Sequence, residues 1–317
     1  MNIDLSREAI EYGQQVLRAL EAAGGDQLVQ LAEEEPGRRD KLVEPVLAEL
    51  GAWELDVRDS ADELEAAAAL CRAAGYWGVP YPVAERLSRP TDLDADGLLV
   101  VAGAAPAGPV TDLDLRWVAV TISGERSRAV ARPPSSPPRY SAFVTGLDLT
   151  RIDDDGAADA ALGLVLPCWT LLGMLDRAIA LTREHVLVRT QFGQPLSAFQ
   201  GVQFQLTEAE VERSGLEMLA RYAIWSLQVG PADALADAMA LRLAALEAAQ
   251  TVFRVAHQLH GATGFCDETV LSWLSRYSQP VRRLPLGLSA TREQLARLVD
   301  RRGLTGVFTD DEGGWAL

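Results

Sequence analysis

The stretch Arg189-Thr-Gln-Phe-Gly-Gln194, followed directly by Pro195-Leu-Ser-Ala-Phe-Gln200, separates two long helical patterns in the carboxyl-terminal half of the sequence. The guanidinium of Arg189 is always charged, and beside a glycine turn at a helix end it can bind a pyrophosphate through two parallel hydrogen bonds. A purely structural role is equally open. Arg189 can complement the negative end of the preceding helix, and Ser197 with Gln200 can form a capping box for the next one.

A second turn follows further along the chain, at Gln258-Leu-His-Gly-Ala-Thr-Gly-Phe265. Glycines at a helix end let a ligand approach the backbone closely. They also serve as ordinary helix C-caps, with Gly261 in the left-handed region. His257 and His260 share a helix face, a spacing more typical of structural or interfacial histidines than of metal ligands. No metal site is therefore predicted here.

The residues around the two turns predict a bundle of about four long helices, with antiparallel neighbours because the connections are short. One helix carries a stripe of residues at spacings of three and four, formed by Val211, Gly215, Met218, Tyr222, Trp225 and Val229. Gly230-Pro231 ends that helix, and the apolar spacing from Met239 to Phe253 marks the next. Thr291 with Gln294 resembles a capping box that opens the last helix.

Two zones precede the bundle and a tail follows it. Residues 1–90 have helical periodicity, with expected breaks at Gly24-Gly25, Pro36-Gly37 and Gly75. Residues 91–152 contain β-branched runs typical of a small antiparallel sheet. These runs are Leu98–Val101, Trp117–Ile122 and Ala142–Thr145.

The remaining boundaries follow from composition. We interpret Pro133–Pro138 as a surface loop between strands rather than a linker. Residues 153–303 are assigned to the helical bundle, and residues 304–317 to a frayed tail. The predicted fold is thus mostly α with a small β domain: an amino-terminal helical domain, a reduced antiparallel β domain and a carboxyl-terminal four-helix bundle.

Composition excludes several classes of protein. The chain of 317 residues has 29 basic and 45 acidic side chains, a net charge of −16 that disfavours nucleic acid as a partner. The apolar stretch Ala160–Leu175 is shorter than the ~20 residues of a membrane span and predicts a buried helix. No secretory signal is recognised, and three widely spaced cysteines favour reduced thiols, so we expect a cytoplasmic protein without membrane contact. Motifs of serine hydrolases, P-loop nucleotidases and Rossmann domains are missing from the sequence.

The two turns together resemble the carboxyl-terminal four-helix domain of the acyl-CoA dehydrogenases. That family carries an R-x-x-F-G turn, a glutamine eleven residues after the arginine, and a Q-x-x-G-G-x-G-F turn. The matching residues are Arg189, Phe192, Gly193, Gln200, Gln258, Gly261, Gly264 and Phe265, with Ala262 in place of one glycine. The order of amino-terminal helices, β domain and four helices also agrees with the family.

This resemblance implies FAD as the cofactor. In the family these turns bind the adenine and pyrophosphate half of an FAD whose flavin ring lies mainly on the neighbouring subunit. By resemblance Arg189 pairs with the pyrophosphate, Gln200 and Gln258 donate hydrogen bonds to the dinucleotide, and Gly261 with Ala262 lets it approach the backbone. Phe192 belongs to the same predicted cofactor site.

The sequence departs from the family at the catalytic base and in the β domain. The base is a glutamate at one of two places, and motif spacing puts Gly163 and Pro285 there, neither of which can take a proton. The β domain is about half the usual size and lacks the loop that contacts the flavin. Other acids in the region are Asp159, Glu268 and Glu293.

These departures favour a catalytically incomplete subunit, with no catalytic residue of its own. The resemblance is to the short subunit of heteromeric acyl-CoA dehydrogenases of actinobacterial steroid degradation, paired as a heterotetramer with a full-length chain that carries the base. The expected substrate is a bulky, steroid-derived acyl-CoA. Two alternatives stay open: a self-sufficient homo-oligomeric dehydrogenase or oxidase with a relocated base, and a flavin-free helical scaffold.

Overall fold

The fold was obtained as a computed structural model, which describes residues 3–133 and 141–302. The helices are α1 (Arg7–Ala22), α2 (Leu28–Glu34), α3 (Arg39–Glu49), α4 (Ala61–Tyr76), α5 (Val83–Leu87), α6 (Ala157–Val188), α7 (Gln200–Val229), α8 (Pro231–His260), α9 (Val270–Tyr277), α10 (Gln279–Arg283) and α11 (Leu288–Arg302). The strands are β1 (Gly97–Val101), β2 (Ala107–Gly108), β3 (Trp117–Thr121), β4 (Arg126–Ala131), β5 (Thr145–Asp153), β6 (Thr190–Gln191) and β7 (Gln194–Pro195). The predicted class, mostly α with a small β region, is confirmed.

The amino-terminal helices pack against α6 through a close crossing of two glycines. A Cβ on Gly75 would lie 1.9 Å from the carbonyl oxygen of Thr170, and one on Gly173 would lie 1.9 Å from that of Arg72. Gly75 lies one residue before the end of α4 at Tyr76, close to the break that the sequence predicts. It lies in the last turn of that helix, where only a missing side chain permits this backbone contact.

The main sheet has the strand order β1-β3-β4-β5-β2. Only part of it is antiparallel, because β1 and β3 run parallel with Gly97 opposite Trp117. The prediction of a purely antiparallel sheet is wrong for this pair. The segment between the two strands is long enough to include β2, which pairs with β5, and to return the chain in the same direction.

The predicted strand Ala142–Thr145 is wrong except for its last residue. Val144 donates its amide to the carbonyl of Ser141, and Phe143 donates its amide to the Ser141 hydroxyl, so these residues form a turn before β5. The hydrophobic run reflects burial of Phe143 beneath Arg39, whose guanidinium lies 4.9 Å from the ring centre. The predicted loop over Pro133–Pro138 lies almost wholly outside the described residues.

Helix α6 forms the centre of the molecule. It is long and apolar enough to cross a bilayer, but 78% of its most apolar window is buried inside the protein, as in a core helix. The prediction of a buried helix over Ala160–Leu175 is confirmed. Pro167 lies within it without ending it.

Helices α7 and α8 form an antiparallel hairpin that breaks at Gly230-Pro231, as predicted. The inward face of α7 consists of Leu216, Ala220, Ala223 and Ile224. The predicted stripe is a different face. Its members Val211, Met218 and Val229 are 63%, 52% and 60% exposed in the single chain.

The last helix, α11, begins at Leu288, earlier than the predicted capping box. Thr291 is fully buried within the helix, and its hydroxyl donates to the carbonyl of Leu286 instead of capping. Thr291 with Gln294 is therefore not a capping box. The predicted frayed tail, residues 304–317, lies outside the described part of the chain.

Candidate functional site

The first turn is a two-residue hairpin between β6 and β7. Phe192 and Gly193 at its tip have φ values of 51° and 81°, and positive φ at both central positions is what a type I′ turn requires. The amide of Leu196 donates to the carbonyl of Arg189 over 2.8 Å and closes the loop. Phe192 is 93% exposed. This geometry holds Arg189 at the end of α6 and projects an aromatic ring away from the bundle.

Arg189 is exposed, and within residues 3–133 and 141–302 no carboxylate forms an ion pair with its guanidinium. Its main chain is the C-cap of α6, with its amide bonded to the carbonyl of His185. The capping box considered for the next helix is absent from this described stretch. Ser197 lies in a 3-10 turn, and Phe199 occupies the N-cap position of α7 without a side-chain bond.

The second turn closes α8. The amide of Gly261 bonds to the carbonyl of His257, and Gly261 has φ 63° and ψ −143°. This is the positive-φ extended region, open essentially only to glycine, and not the left-handed helical region that was predicted. No atom lies within 4 Å of the position that a Cβ on Gly261 would occupy. Gln258 and Ala262 beside it are exposed.

Two stacked histidines connect these turns. The rings of His185, in the last turn of α6, and His260, in the last turn of α8, lie 4.4 Å apart at 22°. Burial lowers the pKa of His185, and the nearby charges of His260 and Arg189 lower it further. His257 stacks on Phe265 and bonds Ser275.

Gln200 reaches the same end of the bundle from a third element. It is the first residue of α7, which runs antiparallel to α8, and an ion pair of 2.8 Å between Glu208 and Arg254 fixes the register near this end. The structure thus collects all the predicted cofactor residues at one end of the bundle, where every one is exposed. We call this the bundle-end site: Arg189, Phe192, Gln200, Gln258, Gly261 and Ala262.

The two expected positions of the catalytic base lie elsewhere, on one partly open cavity between the amino-terminal helices, the sheet and the bundle. Gly163 and Pro285 both line this cavity of about 110 Å³. A Cβ on Gly163 would lie 2.6 Å from Cγ2 of Val100, so β1 leaves little room for a side chain there. Neither position offers a titratable group.

A carboxylate nevertheless lines this cavity, and sequence reasoning missed it. Glu85 on α5 has no hydrogen bond to its side chain, within the described residues, beyond that from its own backbone amide. Burial raises its pKa to about 7, against smaller opposing effects of the hydrogen bond from its own backbone amide and of the charge of Arg39. The sequence Val83-Ala-Glu-Arg-Leu87 gives no sign that its acid lines a cavity.

Two buried arginines line the same cavity. Arg39 is 1% exposed and donates to the carbonyls of Pro109 and Thr111. Arg242 is 2% exposed and donates to the carbonyls of Leu284 and Leu286. Each retains a buried Nε–H without a partner in the described part of the chain. We call the space lined by Glu85, Gly163, Pro285, Arg39 and Arg242 the inner cavity.

The acids named from the sequence do not reach the inner cavity. Asp159 is buried but paired with Arg58 at 2.8 Å and with Arg126 at 3.4 Å, so it has a structural role. Glu268 is exposed after the second turn. Glu293 is exposed on α11 and pairs with Arg297.

The architecture defines the class of protein. The chain superimposes on one chain of the ChsE4-ChsE5 complex from Mycobacterium tuberculosis with a TM-score of 0.73 and 17% identity, covering 96% of this chain and 100% of that one. A chain of a Tcur3481-Tcur3483 steroid ACAD variant gives a TM-score of 0.76 at 17% identity, over 93% and 98% of the two chains. The fold is that of the acyl-CoA dehydrogenases.

Sequence comparison narrows this assignment. Residues 165–294 match the family model of the acyl-CoA dehydrogenase C-terminal domain. Acyl-CoA dehydrogenase FadE28 of Mycobacterium tuberculosis is 32% identical over 42% of this chain and 38% of its own length. The chain therefore spans well under half the length of this curated relative.

Proposed function

We propose that this chain is a subunit of a heteromeric, FAD-dependent acyl-CoA dehydrogenase, and that its bundle-end site holds the adenine and pyrophosphate half of an FAD bound mainly by a partner chain. The observation that carries the proposal is the convergence of six exposed residues from α6, α7 and α8 on one end of the bundle. They point away from the chain's own core, where a ligand shared with another subunit would lie.

The residues present fit a dinucleotide. Arg189 offers a pyrophosphate an always charged guanidinium that forms no ion pair with residues 3–133 or 141–302. The first amides of α7, a helix of 30 residues, add the positive end of a helix dipole beside it. Gln200 and Gln258 offer amide donors and acceptors, and the open space above Gly261 lets a ligand touch the backbone. Bound FAD would supply the acceptor for the hydride that leaves the acyl group.

The chain's own surface favours a partner. Several large apolar side chains are exposed on α7 and at the bundle end, and clusters of exposed apolar side chains mark interaction surfaces. These include Val211, Met218, Phe204, Phe192 and Phe265. Two structural neighbours are described as pairs of different chains, and one of them as a steroid ACAD. We propose that this chain forms a heterotetramer with a full-length acyl-CoA dehydrogenase subunit. We propose also that the substrate of the complex is a bulky, steroid-derived CoA thioester.

The proposed role of this chain is binding and positioning. Gly163 and Pro285 provide no proton acceptor, so the base that removes the α-proton in step with hydride loss belongs to the partner. Arg189 orients the cofactor through its phosphates, and the exposed apolar residues of α7 exclude water from the subunit interface.

Co-expression with a full-length acyl-CoA dehydrogenase chain from the same genome tests this proposal. We expect the chain alone to be colourless and prone to association, and the co-purified complex to show a flavin spectrum and acyl-CoA dehydrogenase activity. A stable yellow homo-oligomer that is active alone would favour the self-sufficient enzyme instead. A colourless complex whose association is unchanged after substitution of Arg189 would favour the flavin-free scaffold.

A further inference from the structure

The stacked pair of histidines lies between the two turns of the bundle-end site, and the proposed function gives it no role. His185 lies one helical turn before Arg189 at the end of α6, and His260 directly precedes Gly261 at the end of α8. The ring centres are 4.4 Å apart and the ring planes are inclined by 22°. The pair thus adjoins both the cation and the glycine turn that would meet a dinucleotide.

The hydrogen bonds of the pair leave His185 able to take a proton. Nδ1 of His260 lies 2.8 Å from the carbonyl oxygen of Ala256, so this nitrogen carries the hydrogen of the neutral ring. The ring of His185 is half-buried and forms no hydrogen bond with the part of the chain that the structure describes. A protonated His185 would therefore have an N–H group to donate to an incoming anion.

The charges of the chain itself keep His185 neutral at neutral pH. Burial lowers the pKa of His185, and the charges of His260 and Arg189 lower it further. Burial lowers the pKa of His260 as well, and His257 on the preceding turn of α8 adds to this effect. Arg282 of α10 acts in turn on His257. No carboxylate of the described residues acts on any of the three rings, so a bound anion would supply the negative charge that they lack.

We propose that His185 is a further residue of the bundle-end site, and that it takes up one proton when a pyrophosphate binds beside Arg189 and then holds this anion as an imidazolium. The inference rests on the proposed function, which places a pyrophosphate there. The proton comes from solvent, and no bond of the dinucleotide changes. His260, fixed by its bond to a main-chain carbonyl, is the neutral ring against which the imidazolium stacks.

The coupling makes affinity depend on pH in one direction. An opposite charge within about 4–6 Å favours the charged form of a group and changes its pKa by roughly 1–3. The bound anion therefore raises the pKa of His185, and by linkage the dinucleotide binds more tightly as pH falls. The dissociation constant should decrease roughly 10-fold or more from pH 8 to pH 5.5, the lower end of that range.

The experiment measures proton uptake on binding by calorimetry, in two buffers that differ in their heat of ionisation. The full chain alone is titrated with ADP-ribose, and the co-expressed complex, freed of flavin, is titrated with FAD. Both ligands carry a doubly esterified pyrophosphate that stays ionised between pH 5 and pH 8, so any proton is taken up by protein. We expect uptake of roughly half a proton per site at pH 6.5 and almost none at pH 8.5.

A single substitution assigns the proton. His185→Phe keeps an aromatic ring against His260 but cannot be protonated, so it should bind without proton uptake and with a dissociation constant that no longer depends on pH. His257→Phe is the matched control, because it removes another half-buried histidine from the same helix end, one that stacks on Phe265. It should keep the wild-type uptake, and melting curves establish that both variants are folded.

Each outcome separates this inference from the proposed function. Proton uptake that is lost in His185→Phe and kept in His257→Phe supports it. Binding by the wild type without proton uptake, or equal uptake in the wild type and a folded His185→Phe variant, overturns it and leaves the proposed function standing. Absence of binding by both the chain and the complex overturns both.

Discussion

The bundle-end site and the inner cavity differ in almost every physical property. The residues of the first are exposed and arranged at helix ends around the guanidinium of Arg189. The second is a partly open cavity inside the chain, lined by a carboxylate with a raised pKa and by two buried arginines. An exposed half-site requires a second surface to become a binding site, whereas the walls of the inner cavity all come from this chain. One chain therefore combines a site that depends on a partner with one that does not.

The largest expected effect is a loss of stability on substitution of Asp159, a buried acid that lies outside the inner cavity. Asp159→Asn should destabilise the chain by about 3 kcal/mol, the lower end for a broken buried ion pair, because Arg58 and Arg126 keep other partners. Denaturant unfolding measures this change. The acyl-CoA dehydrogenase activity of the folded complex should be unchanged, and a specific loss of that activity would instead place Asp159 in the chemistry.

The pH dependence of stability tests the cavity next. Because the pKa of Glu85 in the folded chain, about 7, lies above its unfolded value of about 4.3, folding takes up a proton between these pH values. The wild type should therefore lose stability relative to Glu85→Gln as pH rises from about 4.3 to 7, by ~1–3 kcal/mol. Unfolding at pH 5 and pH 8 measures the difference. A constant difference would mean that Glu85 is not protonated within the fold.

A smaller effect is expected at the bundle end. Gln258→Ala should weaken FAD binding in the assembled complex by about 0.5–1.5 kcal/mol, because the amide side chain of Gln258 is neutral and an ordinary hydrogen bond contributes that much. Glu268→Gln, also exposed after the second turn, is a suitable control. Equal FAD dissociation constants for the two variants would remove Gln258 from the site.

The contrast between the regions also explains what the sequence could reveal. Arg189, Gly193 and Gly261 were recognisable because turns constrain residue type locally, through positive φ and helix ends. The bundle followed from helical periodicity in the same way. Local rules could also suggest a stripe on α7, but not whether that face points inward.

The inner cavity depends on contacts between distant segments. Glu85 has its raised pKa only because α5 packs against α6 and β1, and no local pattern reports that packing. The same applies to Gly75, which lets α4 approach a backbone carbonyl of α6 closely. It applies also to the parallel pairing of β1 with β3. Sequence reasoning was thus most effective where one turn determines the chemistry.

The most direct measurement compares FAD occupancy and melting temperature in the same complex, with Arg189→Ala introduced only into this chain. A charge-assisted hydrogen bond contributes about 1.5–3 kcal/mol, so the FAD dissociation constant should rise roughly 10- to 100-fold. Arg189→Lys should recover only part of the affinity, since a point charge lacks the two-pronged geometry. Loss of FAD from a folded complex is the predicted result. Full FAD occupancy, together with a lower melting temperature that corresponds to a loss of about 1 kcal/mol in the free energy of unfolding, would show that Arg189 only complements the end of α6.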